Sequence, residues 1–276
     1  MSMDRRQFLK IAGISSILGL GASVANATHP IWVKGLDPSQ VEPNKDALNA
    51  KKWAMVVDMS KFKTDEDFKK TIKACHLTHN VPDFRNPDGT VNKKFEVKWI
   101  WQTSYERAFP GQENRYMEEH LKDMPFLVLC NHCENPPCVR VCPTKATFKL
   151  PNGITMQDMH RCIGCRFCMA ACPYGARSFN WIDPRKAVNP ETENKEYPTR
   201  TIGVVEKCTF CTERLQSGKM PACVEAAPKG GLTFGDVEDP NSEVRKIVTT
   251  KLTIRRKPEL GTGPQIYYLI GGGDHA

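Results

Sequence analysis

No stretch of this sequence supplies the roughly 20 consecutive apolar residues that a membrane-spanning helix needs. The longest apolar run, Ile11 to Val24, is interrupted by Gly and Ser, and Ile266 to Ile270 ends after five residues at Gly271. Membrane contact of the mature chain is therefore expected only through a partner. A nucleotide fingerprint is also missing, because Gly261-Thr262-Gly263 follows no strand–turn–helix pattern. There is no nucleophile motif. The histidines, at 29, 76, 79, 120, 132, 160 and 275, form no spaced pair except His76 and His79. That pair flanks an expected turn beside Cys75, which points to a surface position, or to a hydrogen bond with a ligand, before it points to metal binding. These absences argue against a self-contained redox enzyme. Blocks of like charge are scarce as well: Lys and Arg number 39 against 31 Asp and Glu, for a net charge of +8. The positive residues are scattered, with Thr253 to Lys257 (TIRRK) the one short cluster. A solvated basic face is expected there, and nucleic acid is not expected as a partner.

What the sequence does have begins at its first residues. Arg5 and Arg6 stand directly before the apolar run, which ends in the small-residue pattern Ala25-Asn26-Ala27. This reads as a twin-arginine export signal spanning 1–27, cut after Ala27, and places the mature chain in the periplasm. Signals of this type address proteins exported already folded, which suits a chain that acquires a metal cofactor before crossing the membrane. Losing Asp4, Arg5, Arg6 and Lys10 lowers the formal charge from +8 to +6.

The 276 residues contain 12 cysteines, eleven of them between Cys130 and Cys223. Two runs carry the strongest signal: CNHCENPPCVRVCP, Cys130 to Pro143, and CIGCRFCMAACP, Cys162 to Pro173. The second is the C-x2-C-x2-C-x3-C-P spacing of bacterial ferredoxins, and the first is the same run with two extra residues before its third cysteine. Two-residue gaps let consecutive sulfurs converge on one 4Fe-4S cube, while backbone N–H groups between them point at sulfur. In this pattern the fourth cysteine, on the helix that follows, ligates the neighbouring cluster. Cys130, Cys133, Cys138 and Cys172 then form one ligand set, and Cys162, Cys165, Cys168 and Cys142 another. Gly164 serves a loop that needs positive φ, and Pro137 stiffens the longer loop. A disulfide scaffold is disfavoured, since bonded CxxC pairs make strained small rings and a chain with 40% hydrophobic residues needs no staples. Structural zinc accounts for CxxC pairs but not for two four-cysteine runs ending in Pro. Each oxidised cluster with four thiolates carries about −2, so three would offset the positive balance of the mature chain.

A third run, CTFCTERLQSGKMPACVEAAP, Cys208 to Pro228, has Cys208, Cys211 and Cys223, but Ala227 stands where a fourth cysteine is expected. Cys75 is the remaining cysteine. Thr64 reads as the N-cap of a helix with acidic residues in its first turn. Phe68, Ile72 and Cys75 then recur at i, i+4 and i+7 on one buried face. A fourth ligand to the third set is expected there.

Taken with Val56 to Asp58 (VVD) and Ala74 to Pro82 (ACHLTHNVP), these runs resemble the four-cluster ferredoxin-like electron-transfer subunits that partner polysulfide reductases, nitrite reductases and formate dehydrogenases. The resemblance covers about residues 52–240. In that family four cysteine runs pair as two nested ferredoxin units, the first run interlocked with the last. Counting back from Cys75, the positions matching the first run's other ligands are Asp65, Phe68 and Thr71. The interlocking pattern assigns these three and Ala227 to one and the same cluster. The resemblance therefore implies that one whole cluster has been lost and three remain, the last held by Cys75, Cys208, Cys211 and Cys223.

The expected fold is α+β, with two nested ferredoxin-like units. The outer unit is built from 28–119 and 186–242, the inner one is 120–185, and 243–276 forms a C-terminal extension that binds a partner. The phrases CPYGARSFNWIDPR and GDVEDPNSEVRK make the chain most similar to the iron–sulfur subunits of sulfite-reduction-associated respiratory complexes. That similarity implies three 4Fe-4S clusters carrying single electrons, an integral membrane quinone-interacting subunit of the polysulfide-reductase type, and a multihaem cytochrome c. The electron-transfer subunit of a molybdopterin oxidoreductase is the alternative that the same motifs serve. Trp99, Trp101, Phe148 and Trp181 are expected in packing and not in an electron route.

Overall fold

In the computed structural model, which describes residues 44–112 and 114–269, the strand Trp53–Asp58 (β1) is covered on both faces. Its alternation sends Trp53, Met55 and Val57 into the main core, and Ala54 and Val56 into a smaller cluster with Val237 and Val244. A strand buried on both sides reads as a continuous apolar run, and WAMVV is one. The expected export signal lies outside the described residues.

β1 is the hub of a four-stranded sheet. Leu232–Asp236 (β8) pairs with it antiparallel, with Met55 opposite Phe234. Ile266–Leu269 (β10) pairs with it parallel on the other side, and Thr253–Ile254 (β9) closes that edge against β10. Trp53 stacks on Phe234 with centroids 4.7 Å apart. Three two-stranded ladders complete the strand inventory of the described residues. Ile100–Ser104 (β2) pairs with Pro125–Leu129 (β3), Thr147–Lys149 (β4) with Thr155–Gln157 (β5), and Ser178–Phe179 (β6) with Val205–Glu206 (β7).

The longest helix, Asp65–Thr78, starts where the sequence places it. Thr64 and Asp67 form a reciprocal capping box, Thr64 Oγ1 accepting from Asp67 N and Asp67 accepting from Thr64 N. Phe68, Thr71 and Cys75 are its buried residues. The helix packs against Ala222–Ala226, so residues far apart in sequence meet. Residues 46 onward form one compact unit, in which the portions expected as inner and outer share a core.

Residues 243–269 pack into the fold. Helix Glu243–Thr250, capped by Ser242, covers one face of the sheet with Val244. β10 supplies Ile266 and Tyr268 to the main core, and the Tyr268 hydroxyl donates to the Leu127 carbonyl at 3.0 Å. Residues 243–269 thus contribute to the folded core through both faces of the sheet. A correction concerns the TIRRK cluster. Arg256 is buried, with Nε donating to the Ala108 carbonyl at 2.9 Å, so it is not part of a solvated face.

Candidate iron–sulfur sites

Each cysteine run is entered from a strand. β3 leads straight into Cys130 and β7 ends one residue before Lys207-Cys208, while β5 precedes Cys162 by a short bend. Within each C-x2-C loop the residue before the second cysteine takes positive φ: His132 at 40°, Gly164 at 71° and Phe210 at 55°. At Gly164 the left-handed turn admits no side chain, since a Cβ would sit 2.3 Å from the Gly203 carbonyl oxygen. At the other two positions a large ring is present, and sequence reasoning missed this.

The third cysteine of each run occupies the second position of a one-turn helix. Cys138 lies on Pro137–Arg140, Cys168 on Phe167–Ala171 and Cys223 on Ala222–Ala226. The fourth cysteines lie just beyond these helices, Cys172 as a C-cap and Cys142 two residues past Arg140. The expectation that the fourth sits on the helix is thus corrected: three intervening residues carry it one turn on, to the helix end. Cys75 alone comes from within a long helix.

Three foursomes result. Cys130, Cys133, Cys138 and Cys172 line one cavity, walled also by Tyr174, Thr155 and Arg177. Cys142, Cys162, Cys165 and Cys168 line another, with Thr147, Gln157, Ile163 and Arg166. Cys172 thus lies with the three leading cysteines of the first run, and Cys142 with those of the second. Cys75 lies beside Cys223, Cys211 and Cys208, all four buried. Cys208 is also beside Cys130, and Cys168 beside Cys138, so the first-described foursome lies in the middle of a row.

The electrostatics differ along that row. Burial, reinforced by neighbouring thiols, pushes the Cys75, Cys208 and Cys211 thiols far up, and burial lifts Cys223 to about 12. Burial likewise brings Cys133 to about 12. Cys142 lies lower than usual: burial is the largest single influence and raises it, but hydrogen bonds from the Thr147 N–H at 3.5 Å, the Thr144 hydroxyl at 3.7 Å and the Thr144 and Ala146 backbone together outweigh it. Thiols with so high a proton affinity stay protonated at neutral pH on their own, and a bound metal centre is what deprotonates such sulfurs outright.

His79 is a further correction. It is 1% exposed and not on the surface; its Nδ1 donates to the Cys75 carbonyl at 2.7 Å and lies 3.7 Å from the Cys75 sulfur. Its Nε2 meets Glu213 at 2.9 Å, and its ring stacks on Trp99. His79, Cys211 and Glu213 bring their ligand atoms within 4.8 Å of one another, so the surroundings of the Cys75 foursome include both an imidazole and a carboxylate.

Two further residues escaped sequence reasoning. Arg177 Nη1 donates to Gln157 at 2.9 Å and Thr147 at 3.2 Å, while its guanidinium lies against Cys138 and Cys168. Lys207, fully buried, donates to the carbonyls of Thr155 and Cys208. Arg177 Nη2, His132 Nε2, Arg256 Nη1 and Thr155 Oγ1 have no hydrogen-bond partner among the described residues. Buried cations facing only sulfur and neutral groups fit an anionic metal–thiolate group and do not fit an empty apolar core.

Loops, one-turn helices and grouped sulfurs of this kind define an iron–sulfur protein that takes up 4Fe-4S clusters. Residues 124–188 and 193–237 match the 4Fe-4S dicluster domain. The chain is 40% identical, over 99% of its own length and all of the other's, to the Hdr-like menaquinol oxidoreductase iron–sulfur subunit 1 of Archaeoglobus fulgidus. It is 42% identical to protein NrfC of Escherichia coli, over 97% of this chain and 95% of that one. With the menaquinone reductase iron–sulfur cluster-binding subunit of Nitratidesulfovibrio vulgaris it shares 35% identity, over 79% of this chain and 88% of that one. The chain belongs to this family of iron–sulfur electron-transfer subunits. Among the described residues no helix is long and apolar enough to cross a membrane.

Proposed function

We propose that this chain is an exported electron-transfer subunit holding three 4Fe-4S clusters in a row. Cys75, Cys208, Cys211 and Cys223 hold the first, Cys130, Cys133, Cys138 and Cys172 the middle one, and Cys162, Cys165, Cys168 and Cys142 the last. Bound there, each cluster exchanges one electron at a time. The observation that carries this reading is the grouping of all 12 cysteines into three sets of four, with none left over. The complex we assign is a sulfite-reduction-associated respiratory one, in which the chain lies between a quinone-interacting integral membrane subunit of polysulfide-reductase type and a multihaem cytochrome c. The similarity to a menaquinol oxidoreductase subunit along nearly the whole chain supports the quinone side of that assignment.

The protein's own residues set where electrons enter and leave. The Cys75 foursome is sealed by its helix, whereas Cys142, Cys162 and Cys165 are half-exposed, with Ile163 and Phe167 exposed beside them. The solvent-facing end of the row is therefore the docking end. Purification from membranes at native expression tests the reading: co-purifying membrane and cytochrome subunits, with about 12 iron atoms per chain, support it, and a partner-free monomer contradicts it. Export is tested separately. Replacing Arg5 and Arg6 by Lys should hold the loaded precursor in the cytoplasm, and normal periplasmic levels of that variant would exclude the signal.

A further inference from the structure

The described interior is not electrically neutral. Its buried cations are Arg177, Arg200, Lys207 and Arg256, and its one buried carboxylate, Glu206, is engaged by Arg200. A buried charge without a counter-charge is costly, so the other cations need negative charge from a source other than carboxylates.

The positions of two of them identify that source. Arg177 fills the wall between the middle and last foursomes: it touches Cys138 of one and Cys168 of the other, and its hydrogen bonds to Gln157 and Thr147 fix it against both cavities. Lys207 does the same one gap along. Its ammonium bridges the carbonyl of Cys208, in the Cys75 foursome, and that of Thr155, in the wall of the middle cavity. Neither is paired with a carboxylate among the described residues. One cation thus stands in each gap of the row.

We propose that Arg177 and Lys207 are inter-cluster cations that raise the reduction potentials of the clusters on both sides of each gap, with the middle cluster, served by both, raised most. The inference rests on the three-cluster reading above. Its physical basis is that reduction adds negative charge, which a fixed neighbouring cation stabilises more strongly in a low-dielectric interior than in water. A cation between two clusters also weakens the repulsion that reducing one exerts on the next, so adjacent clusters can both be reduced within a narrow range of potential.

The test is a potentiometric titration of the purified full-length holoprotein followed by electron paramagnetic resonance. Iron content of the parent comes first: about 12 atoms per chain upholds the three-cluster reading, and any other count fails that reading without bearing on the cations. The signal lost in Cys75→Ala marks the first cluster. Arg177→Met should then move two signals to lower potential by at least a tenfold change in the reduced-to-oxidised ratio, 59 mV for a one-electron couple, and leave the Cys75-dependent signal in place. Lys207→Met should move the Cys75-dependent signal and one of the two that Arg177→Met moves. Arg177→Lys, which keeps the charge, should stay near the parent. Unmoved potentials in the neutral variants, or equal shifts in all three signals, would overturn the proposal. If Arg177→Met loses iron, Arg177→Gln replaces it in the same titration, and loss of iron in both would assign Arg177 to holding the fold and overturn the redox role.

Discussion

The ring of His132 lies on the ring of Phe210 with centroids 3.6 Å apart and planes 14° from parallel. His132 stands between Cys130 and Cys133, and Phe210 between Cys208 and Cys211, so the stack joins the loops of two foursomes. Both residues adopt positive φ, which costs a residue with a Cβ about 1 kcal/mol or more. The stacking and burial offset that cost. His132 is held neutral here, its proton affinity driven well below the ordinary value first by burial and then by Lys207 and Arg177. Its Nδ1 accepts from the Thr155 N–H at 3.2 Å, which leaves Nε2 to carry the proton.

Phe210→Ala should therefore loosen two sites at once. Removing a fully buried Phe costs about 3 to 5 kcal/mol, and here the cost falls on both loops. Thermal unfolding of the loaded protein should show a midpoint lowered by roughly 6 °C or more. A change under 1 °C would mean that the stack does not tie the loops together.

Cys75→Ala removes the one ligand of its foursome that comes from outside Cys208 to Cys223. Iron should fall from about 12 towards about 8 atoms per chain, or a three-iron remnant should appear by electron paramagnetic resonance. The helix carrying Cys75 packs on the helix carrying Cys223, so stability should fall as well. An unaltered spectrum would remove Cys75 from the ligand set.

The docking end gives a prediction of another kind. Phe167 is 58% exposed and Ile163 67%, both beside the last foursome. Phe167→Glu should leave iron content and folding unchanged, because the side chain already faces water, yet reduce co-purification of redox partners at least tenfold. Undiminished recovery of those subunits would place the interface elsewhere.

How far the sequence could be read depended on how local each signal was. The cysteine spacings, the Thr64 cap and the turn at Gly164 are each set within a few residues; the structure caps the helix at Thr64, gives Gly164 a positive φ and gathers the cysteines of the first two runs around two cavities. Arg177, Lys207 and the His132–Phe210 stack carry no local signal, because their meaning arises when segments tens of residues apart meet. An isolated basic cluster such as TIRRK reads as solvated, whereas the burial of Arg256 behind Tyr174 depends on the chain returning to the sheet. The strand Ile266–Leu269 is four residues long and flanked by Gly and Pro, so its apolar run did not distinguish a core strand from a partner-binding tail.

That strand makes its own prediction. Tyr268 is 1% exposed, packs edge-on against Phe109 at 5.3 Å and donates to Leu127. Burial also lifts its hydroxyl to about 12, so it stays protonated and donating at any ordinary pH. Tyr268→Ala should cost about 3 kcal/mol or more, and deletion of 258–276 should abolish soluble folded protein altogether. A truncated chain that still bound its full complement of iron would show that the strand is dispensable.

The last prediction concerns the position where a cysteine is missing. Ala227 follows Cys223 at the spacing of a fourth ligand, and its N–H closes the short helix on the Cys223 carbonyl at 3.0 Å. Restoring a thiol there supplies one ligand, but a cluster needs four. The other three positions, Asp65, Phe68 and Thr71, lie on a continuous helix fixed by its capping box. Asp65 pairs with Lys69 at the surface, Phe68 packs on Phe62 with centroids 5.0 Å apart, and the Thr71 hydroxyl donates to the Asp67 carbonyl at 2.8 Å. Two buried side chains and a formed helix stand where a ligand loop would have to be, and that loop requires left-handed residues which this helix does not contain. Ala227→Cys should therefore bind the parental amount of iron and show no new signal by electron paramagnetic resonance, and four additional iron atoms would show that the site survives in the fold without its ligands.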